Sequence, residues 1–501
     1  MRGAEEIARG LAPARAARAI APGERIHVIG AAGAGASAAA LLAFEAGAAV
    51  DGCDPGAPSP YTAALQGRGI AVAGEHRADH VTTGAPARLA VTKALTSVRP
   101  DHPELEAARD ANVPIEAWQQ VVADAAVNQG GRLVAVAGTH GKSTSAGWLV
   151  HLLVAAGRDP AAFVGALLPP SLTAGVPATA RWGQGDVFVV EADEYAGNFD
   201  AYRPALAVVL NAEWDHPDVF ADQAAVVDVF EAWLRAHAGS DRRAVIHRGD
   251  PGAAELADRL SDWGGRLVTV SPAPADASPE RGTGDVRYGL HGETLRLEGL
   301  PAVPGVLETR LRLAGRHNAA NAACVATAAA MLGVGGEQIA AGLASFGGVG
   351  RRFEVKGEPA GVLIIDDYGH HPTAIRATVE AVRDRYPGRR VWLAHEPLTY
   401  HRAAAMLDDL AAALAMADHV VIADIWAGRD PDTSVTSAAE LATRVATVSG
   451  RDVAASGSPE TTAEYLSDRV RAGDIVLAMG GGRSYVIAEH LLALLEERGA
   501  G

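Results

Sequence analysis

The order of apolar and polar residues along the chain predicts an α/β fold. Short β-branched runs that end at glycine alternate with alanine-rich stretches almost throughout, which is typical of strands that alternate with helices. Three strand-like runs each lead into a glycine turn: RIHVIGAAGAGAS at 25–37, RLVAVAGTHGKS at 132–143 and GVLIIDDYGHHP at 361–372. Each of them could begin a sheet of its own.

The second of these turns has the composition of a phosphate-binding loop. A buried strand, two glycines and the start of a helical pattern follow one another, so backbone N–H groups and a helix N-terminus converge there. Lys142 would supply a cation for phosphate oxygens and Ser143 a hydroxyl for magnesium. The match to the general pattern is imperfect, because Val136 stands where that pattern has glycine. Lys142 is nevertheless one of only three lysines in the chain, so we predict phosphate binding.

Two further strands of the central region end in polar residues. Glu191, Asp193 and Glu194 follow the apolar run in 186–199, and Asn211, Glu213, Asp215 and His216 follow the one in 206–220. Carboxyl ends of parallel strands meet at one edge of a sheet, and carboxylate, imidazole and hydroxyl groups there would hold magnesium against a nucleotide. The alternative is that these are solvated loop charges.

The first glycine turn is less specific. Gly30, Gly33 and Gly35 follow a strand, but they lack the G-x-G-x-x-G spacing of a dinucleotide site. Asp54 follows about twenty residues later, where a contact to ribose is plausible. A dinucleotide-dependent oxidoreductase therefore stays open as an alternative, although it would leave the central polar residues unexplained.

The length of 501 residues exceeds what one ordinary core holds. We place boundaries near residues 127 and 349. The predicted domains are a Rossmann-like N-terminal domain at 1–127 with an extension at 1–22, a central P-loop-type ATPase domain with a mostly parallel sheet at 128–349, and a Rossmann-like C-terminal α/β domain at 350–501. Residues 271–286 are rich in Pro, Ser and Gly and predict a loop.

Composition excludes several classes of protein. A net charge of −16 argues against nucleic acid as the main partner. Cys53 and Cys324 lie far apart in the sequence, which predicts neither a disulfide framework nor a metal cluster and favours a reducing cytoplasm. Residues 1–20 lack the apolar core of a signal peptide, and no apolar run is long enough for a membrane helix.

The motifs together resemble the Mur ligase family. The matching pieces are AGTHGKST, EADE, NAEWDH, GRHNAAN, FGGVGRRFEVKGE and DDYGHHPTAI. They occur in family order and span nearly the whole chain. The resemblance implies an ATP-dependent amide ligase of peptidoglycan precursor synthesis, with ATP and Mg²⁺ as cofactors and small molecules as partners. Within the family the likeness is greatest to the branch that joins L-alanine to UDP-N-acetylmuramate.

The resemblance also implies roles for individual residues. The catalytic residues would be Lys142, Glu191, His216 and Arg352, and the magnesium ligands Ser143, Glu191 and His216. ATP would contact Gly138, Thr139, His140, Gly141, Lys142, Ser143, Thr144, Asn318, Asn321, Arg351, Arg352, Asp366 and Asp367. The UDP-sugar would contact Gly30, Gly33, Gly35, Ser37, Asp54 and His76, and the amino acid Tyr368, His370, Tyr400 and Arg402. We expect a monomer or a weak homodimer in the cytoplasm.

Two departures from the family pattern matter. The chain has EPLTYHR at 396–402 where relatives carry QPH-x-Y-x-R, so Glu396 and Leu398 replace a glutamine and a histidine. The identity of the amino acid is therefore open, and a murein-peptide ligase is a near alternative. Residues 128–348 contain no lysine except Lys142, so we expect no carbamylated lysine. A nucleotide-binding switch without an acceptor and a zinc pair at His370 and His371 are weaker alternatives.

Overall fold

The computed structural model describes residues 4–236, 239–273, 286–428, 430 and 432–500. These residues form three sheets connected largely by helices, which confirms the predicted three-domain α/β architecture. Most of the predicted loop at 271–286, namely residues 274–285, lies outside the described residues. Among the helices described, none has the length and apolar character needed to cross a membrane.

The chain divides into two compact units. The first contains residues 1–215, 219–312 and 318–349, and the second contains residues 216–218, 313–317 and 350–501. The first unit holds two of the three sheets and the second unit holds the third. The exact domain boundaries near residues 127 and 349 stay predictions.

The first sheet is parallel throughout, in the order β3-β2-β1-β4-β5. Its strands are β1 (Arg25–Ile29), β2 (Ala49–Cys53), β3 (Val72–Ala73), β4 (Arg88–Val91) and β5 (Ile115–Ala117). The helices are α1 (Ala4–Ile7), α2 (Ala34–Glu45), α3 (Ala63–Gly67), α4 (Asp79–Thr82), α5 (Lys93–Val98), α6 (Pro103–Asp110) and α7 (Trp118–Gln129). The glycine turn after β1 leads into α2 as the sequence predicted.

The central sheet is mostly parallel, as predicted, with the order β15-β14-β13-β12-β11-β10-β6-β9-β7-β8. Its strands are β6 (Arg132–Ala137), β7 (Ala161–Leu168), β8 (Ala178–Arg181), β9 (Val187–Ala192), β10 (Leu206–Val209), β11 (Arg243–His247), β12 (Arg266–Pro272), β13 (Val286–His291), β14 (Thr294–Glu298) and β15 (Val306–Arg310). The helices are α8 (Lys142–Ala155), α9 (Gln223–Arg235), α10 (Pro251–Arg259), α11 (Arg316–Met331) and α12 (Gly336–Ser345), with 3₁₀ turns at Pro170–Leu172, Tyr195–Ala201 and Leu260–Asp262. Strands β6, β9 and β10 are adjacent and parallel, so their carboxyl ends share one edge.

The third sheet has the order β16-β17-β21-β18-β19-β20, with only β16 and β17 antiparallel among its described pairings. Its strands are β16 (Glu354–Gly357), β17 (Leu363–Asp367), β18 (Val391–Glu396), β19 (His419–Ala423), β20 (Ala454–Gly457) and β21 (Ile475–Gly480). The helices are α13 (Pro372–Arg385), α14 (Tyr400–Ala405), α15 (Leu407–Leu414), α16 (Ala438–Ser449), α17 (Pro459–Ser467) and α18 (Ser484–Ala500), with a 3₁₀ turn at Pro359–Gly361. The sequence predicted that GVLIIDD would open this sheet. That prediction was wrong by one strand, because the short polar edge strand β16 comes first.

Within the first unit, the N-terminal and central domains make specific side-chain contacts. The Trp118 ring packs edge-on against Phe163 with centroids 5.2 Å apart, and Ser37 Oγ lies 3.1 Å from Thr179 Oγ1. The Lys93 ammonium, which is largely buried, donates to the Ala196 carbonyl at 3.0 Å and to the carbonyl of the following glycine at 2.5 Å. These contacts fix the first glycine turn relative to the central sheet.

A buried ion network joins the N-terminal segment to the first sheet. Arg88, 2% exposed, lies 2.5 Å from Asp124 Oδ2 and 2.7 Å from Glu116 Oε2. Arg15 donates to the same two carboxylates at 2.7 Å and 2.9 Å. Burial alone would raise the pKa of Asp124, but hydrogen bonds from Arg15 and Arg88 hold that pKa below its ordinary value. The segment before β1, whose role the sequence left open, is therefore tied to the fold by charge.

We predict that Asp124→Ala lowers the free energy of unfolding by about 2–3 kcal/mol, because it removes a charged hydrogen-bond partner from the buried Arg88 guanidinium, which keeps Glu116 and Glu24 at 2.7 Å and 3.0 Å. The matched control is Glu75→Ala in the same domain, which removes an exposed partner of Arg77 at 3.1 Å and should leave the free energy of unfolding almost unchanged. For both variants, the shift in the urea midpoint of the first unfolding transition measures the change in the free energy of unfolding. Equal shifts for the two variants would contradict this account of the network.

Candidate functional site

The predicted phosphate loop connects β6 to α8. Gly138 and Gly141 have φ values of +137° and +78°, in the left-handed region that favours glycine. A Cβ on Gly138 would lie 3.1 Å from the Asn211 nitrogen, and one on Gly141 would lie 2.8 Å from Asn321 Oδ1. Both glycines are therefore required by conformation and by close packing. The loop ends where α8 begins, at the positive end of that helix.

Residues after β10 hold the phosphate loop in shape. The His140 N–H donates to Asn211 Oδ1 at 2.7 Å, and Asn211 Nδ2 donates back to the His140 carbonyl at 3.1 Å. Thr139 Oγ1 donates to the Glu213 carbonyl and accepts from the Glu213 N–H, each at 2.9 Å. His140 Nε2 lies 2.9 Å from Glu213 Oε2. The polar run after β10 thus preorganises the loop amides.

Lys142 lies among carboxylates that follow β9. Its Nζ is 3.1 Å from Glu194 Oε2 and 3.4 Å from Asp193 Oδ1. Burial alone would lower the pKa of Lys142, but the charges of Glu194, Asp193 and Glu191 raise it above its ordinary value. Burial raises the pKa of Glu194 although the ammonium opposes that shift. Lys142 is therefore a permanent cation in a locally negative site.

Ser143 and Glu191 form the candidate magnesium position. Ser143 Oγ donates to Glu191 Oε1 at 3.1 Å, and the other carboxylate oxygen accepts from the Gly165 N–H at 2.6 Å. A hydroxyl oxygen beside an oriented carboxylate is the hard donor set that Mg²⁺ prefers. The residues present therefore fit the ion that the sequence predicted.

His216, the third predicted magnesium ligand, belongs to the second compact unit. It has a positive φ of 57°, which is uncommon for a residue with a side chain. Its Nδ1 lies 2.9 Å from Nη2 of Arg402, a predicted amino-acid contact in the same unit. The structure thus brings together two residues to which the sequence gave different roles.

The predicted nucleotide asparagines lie in α11. Asn318 and Asn321 are each 7% exposed, and Asn321 Nδ2 donates to Asn318 Oδ1 at 3.4 Å. The Asn321 amide borders Gly141, so at least this asparagine lies against the phosphate loop. Thr144, in the first turn of α8, is also buried.

Asp54 closes the glycine turn of the N-terminal domain. Its carboxylate accepts the Ala32 N–H at 3.0 Å and the Gly56 N–H at 2.7 Å. The Gly33 N–H donates to the Gly30 carbonyl at 3.0 Å. The structure therefore brings Asp54 to the turn and gives its carboxylate a positioning role, while a contact to ribose stays a prediction.

The other three predicted sugar-nucleotide residues have partners within the protein. A Cβ on Gly35 would lie 2.3 Å from the Trp118 ring, so close packing accounts for this glycine. Ser37 is fully buried at the domain contact described above. His76 Nδ1 lies 3.1 Å from Cys53 Sγ. Their roles toward a sugar nucleotide stay predictions.

Arg351 is an anchor within the C-terminal domain. It is 7% exposed, and its guanidinium donates to the Gly480 carbonyl at 3.1 Å and to Ser484 Oγ at 2.9 Å. Its Nε lies 3.4 Å from Asp366 Oδ2. Burial raises the pKa of Asp366 to about 6, although Arg351 opposes the shift. The pair ties the start of this domain to β17 and β21.

Arg352 is less buried than Arg351 and lies over an aromatic ring. Its guanidinium carbon is 4.2 Å from the centroid of the Tyr368 ring, within cation–π range. Asp367 next to it accepts the Phe353 N–H at 2.8 Å and the Gly369 N–H at 2.7 Å. Both arginines that the sequence proposed for phosphate have partners within this domain, since the Arg351 guanidinium bonds to backbone and hydroxyl oxygens and Arg352 Nη1 donates to the Arg351 carbonyl at 3.2 Å. Their contacts to phosphate stay predictions.

Two of the predicted amino-acid residues, Tyr368 and His370, lie near the turn after β21. The rings of Tyr368 and His370 meet edge to face with centroids 5.5 Å apart. A Cβ on Gly481 would lie 2.7 Å from Leu398 and 3.2 Å from His370 Nδ1. Leu398 therefore presents an apolar surface beside His370 at the position where relatives were expected to carry histidine. Tyr400 begins α14.

The sequence placed four further polar residues at the ligand edge without predicting their individual contacts. Asp193 and Glu194 contact Lys142, and Asn211 and Glu213 hold the loop. The sequence pattern indicates their position, because polar residues directly after buried parallel strands lie at the ligand-binding edge of the sheet. Gly165 had no such signal, since its N–H reaches Glu191 across neighbouring strands.

Comparison with known proteins agrees with this geometry. The models for the Mur ligase family catalytic domain, the Mur ligase middle domain and the Mur ligase glutamate ligase domain match residues 25–129, 136–330 and 351–482. A UDP-N-acetylmuramate–L-alanine ligase of Kineococcus radiotolerans is 38% identical over 477 residues, which are 95% of this chain and 97% of that protein. The enzyme of the same name from Frankia casuarinae is 34% identical over 506 residues, with 95% and 99% covered.

Solved structures share the fold. The UDP-N-acetylmuramate-alanine ligase of Thermotoga maritima has a TM-score of 0.75 at 23% identity, and the match covers 95% of this chain and 99% of that one. A murein peptide ligase from Psychrobacter arcticus has a TM-score of 0.71 at 24% identity with the same coverage. Because the family models and relatives above 30% identity span most of the chain, this protein belongs to the Mur ligase family.

Proposed function

We propose that this protein joins L-alanine to the lactyl carboxylate of UDP-N-acetylmuramate at the expense of ATP, in peptidoglycan precursor synthesis. Relatives that carry the name of this activity match 95% of the chain at 34–38% identity. The observation that carries the proposal is the phosphate loop with Lys142 and the Ser143–Glu191 pair at one edge of the central sheet. This arrangement suits transfer of a phosphoryl group to an anionic acceptor.

In the proposed first step, a carboxylate oxygen attacks the γ-phosphorus of ATP and the bond to the ADP oxygen breaks, which gives an acyl phosphate and ADP. Both reactants are anions, so positive charge is needed where they meet. Lys142 would turn from Glu194 and Asp193 toward the phosphate oxygens as charge develops there. Arg352 would add a second cation from the C-terminal domain.

Magnesium would complete the site. Ser143 and Glu191 would hold the ion, with His216 as a further ligand, and the bound ion would offset the charge of the triphosphate.

Several Mur ligases use a carbamylated lysine at the magnesium site. Between residues 128 and 348 Lys142 is the only lysine, and it belongs to the phosphate loop, so we propose that this chain works without that modification.

In the proposed second step, the α-amine of the amino acid attacks the acyl carbon. The bond from that carbon to the phosphorylated oxygen breaks, phosphate leaves, and the amine loses a proton to give the amide. Arg402 would bind the carboxylate of the amino acid, beside Tyr400, Tyr368 and His370. Leu398 makes this region more apolar than the family pattern implies, which suits a small apolar side chain. A peptide acceptor is the second candidate, because a murein peptide ligase shares the fold.

The proposed substrates are small charged molecules of the cytoplasm, so we propose that the enzyme acts there. A monomer or a weak homodimer remains our expectation for its state in solution. The two-step reaction depends on neither the cellular location nor the oligomeric state.

We predict that purified protein with ATP, Mg²⁺ and UDP-N-acetylmuramate releases phosphate when L-alanine is added, and that the amide product appears by mass spectrometry. L-serine, glycine and the peptide L-Ala-γ-D-Glu-diaminopimelate serve as competing amines, and omission of the sugar nucleotide is the control. Preference for L-alanine follows from the small apolar surface at Leu398. Preference for the peptide would show that the acceptor is a peptide and not L-alanine, while the ligase reaction would be the same. No amine-dependent turnover in a protein that binds ATP would contradict the proposed function.

Lys142→Met should lower kcat/KM by about 10²–10³-fold, because it removes the cation that faces the transferred phosphoryl group. Lys142→Arg should also be impaired, since a guanidinium does not replace a compact ammonium in a tight loop. The matched control is Lys356→Met, which removes a lysine that contacts Glu354 and Glu489 instead. Circular dichroism checks that each variant folds. Activity of Lys142→Met close to that of Lys356→Met would refute the role given to Lys142.

A further inference from the structure

Four potential metal ligands meet in the N-terminal domain, away from the phosphate loop. We call them the zinc cluster: His27 on β1, Cys53 at the end of β2, His80 on α4 and Glu104 on α6. Each offers one ligand atom, and these atoms all lie within 4.8 Å of one another. His27, Cys53 and Glu104 are at most 2% exposed. The sequence predicted no metal cluster from two distant cysteines, so this juxtaposition comes from the fold alone.

The distances between the ligand atoms are close to those that a zinc ion imposes. Cys53 Sγ lies 3.1 Å and 3.2 Å from the two Glu104 oxygens. His27 Nε2 lies 3.5 Å from Glu104 Oε2, and His80 Nδ1 lies 2.7 Å from Oε1. Tetrahedral zinc with ordinary bond lengths holds its donor atoms about 3.3–3.6 Å apart. Among these pairs with Glu104, the His80–Glu104 pair is the shortest and would have to open most.

The second nitrogen of His27 is held by a carboxylate. His27 Nδ1 lies 2.6 Å from Asp51 Oδ1, and among the described residues the buried Nε2 has no hydrogen-bond partner. When His27 donates its Nδ1 proton to Asp51, the lone pair of Nε2 points toward Glu104. This lone pair and the lone pair of the facing Glu104 oxygen repel each other. A proton or a metal ion must therefore stand between them. The carboxylate–histidine pairing is the arrangement that orients histidines in zinc sites.

Two more histidines border the zinc cluster. His76 Nδ1 lies 3.1 Å from Cys53 Sγ and 3.9 Å from Glu104 Oε1. The ring of His102, 1% exposed, packs edge-on against His76 with centroids 4.4 Å apart. Neither ring nitrogen of His102 has a hydrogen-bond partner within the described part of the chain, which is costly for a buried polar group.

A metal-free alternative is a hydrogen-bonded ion network. Glu104 also accepts the Arg77 N–H at 3.0 Å, and a protonated His27 would balance its charge, consistent with a His27 pKa raised to about 9, where burial opposes the effect of Asp51 and Glu104. That network would bury the Cys53 thiol against the Glu104 carboxylate, with Sγ 3.1 Å and 3.2 Å from its two oxygens. One thiolate, two imidazoles and one carboxylate instead form a donor set that zinc satisfies.

We propose that the zinc cluster binds one zinc ion through His27 Nε2, Cys53 Sγ, His80 Nδ1 and a Glu104 oxygen. Binding would displace the thiol proton of Cys53 and any proton on His27 Nε2, and both would pass to solvent. Four protein ligands leave no open position, so the ion is structural and has no part in the ligase chemistry. It ties β1 and β2 to α4 and α6, directly beside Asp54 and the glycine turn. The proposal stands independently of the ligase assignment.

The test uses the full chain, purified without a histidine tag, loaded with zinc and passed over a chelating resin. We expect about one zinc per chain by elemental mass spectrometry. Loading with Co²⁺ should give a near-ultraviolet thiolate-to-cobalt charge-transfer band and visible bands of tetrahedral intensity. Cys53→Ser should abolish the charge-transfer band, and His80→Gln should lower zinc affinity by more than about 10-fold. Cys324→Ser is the matched control, because it removes the only other cysteine and should leave both signals unchanged.

Zinc at the magnesium ligands of the central domain would give no thiolate band and would persist in Cys53→Ser, and that result would overturn the proposal. So would a wild-type chain that is folded but retains no zinc. If the variants fail to fold by circular dichroism, the wild-type protein decides the matter through its cobalt spectrum and through a zinc-dependent rise in its thermal midpoint. Absence of both would likewise overturn the proposal.

Discussion

A single, partly buried ammonium among carboxylates is the interaction around which the candidate site is built. Lys142 lies at the N-terminus of α8, within 3.4 Å of two carboxylates that follow β9. The parallel pairing of β6 with β9 and β10 brings the lysine, the carboxylates and the residues that hold the loop to the same edge. Without an anionic ligand, the carboxylates neutralise the lysine. In the proposed reaction the lysine turns to the phosphate instead, so the same positive charge serves both the stability of the site and its proposed chemistry.

The surrounding fold fixes this edge through contacts that span the sequence. Asn211 and Glu213 hold Thr139 and His140 by reciprocal hydrogen bonds, so the loop amides are oriented before a phosphate arrives. In the C-terminal domain, Arg351 is fixed by backbone carbonyls, while the role of the neighbouring Arg352 toward phosphate stays a prediction. A site preorganised in this way costs little reorganisation during phosphoryl transfer.

The sequence predicted what local pattern and glycine conformation determine. The strand, turn and helix around Gly138 and Gly141, the three-domain architecture and the mostly parallel central sheet followed from periodicity and motif order. It did not predict the partners of Lys142, the edge strand β16 or the zinc cluster. His27, Cys53, His80 and Glu104 are about 25 residues apart from one to the next, so only the strand order of the first sheet and the placement of α4 and α6 bring them together. Nor did the sequence predict that the Asp54 carboxylate accepts the Ala32 and Gly56 N–H groups at the glycine turn, while the contact of Asp54 to ribose stays a prediction.

The central claim is that this site transfers the γ-phosphoryl group of ATP to a carboxylate, and isotope transfer tests it most directly. UDP-N-acetylmuramate labelled with ¹⁸O in its lactyl carboxylate is converted with ATP and L-alanine, and the released phosphate is examined by mass spectrometry. Carboxylate activation predicts one ¹⁸O atom in each phosphate, because the oxygen that receives the phosphoryl group leaves with it. Phosphate without the label, formed at the same rate as the amide, would contradict the account.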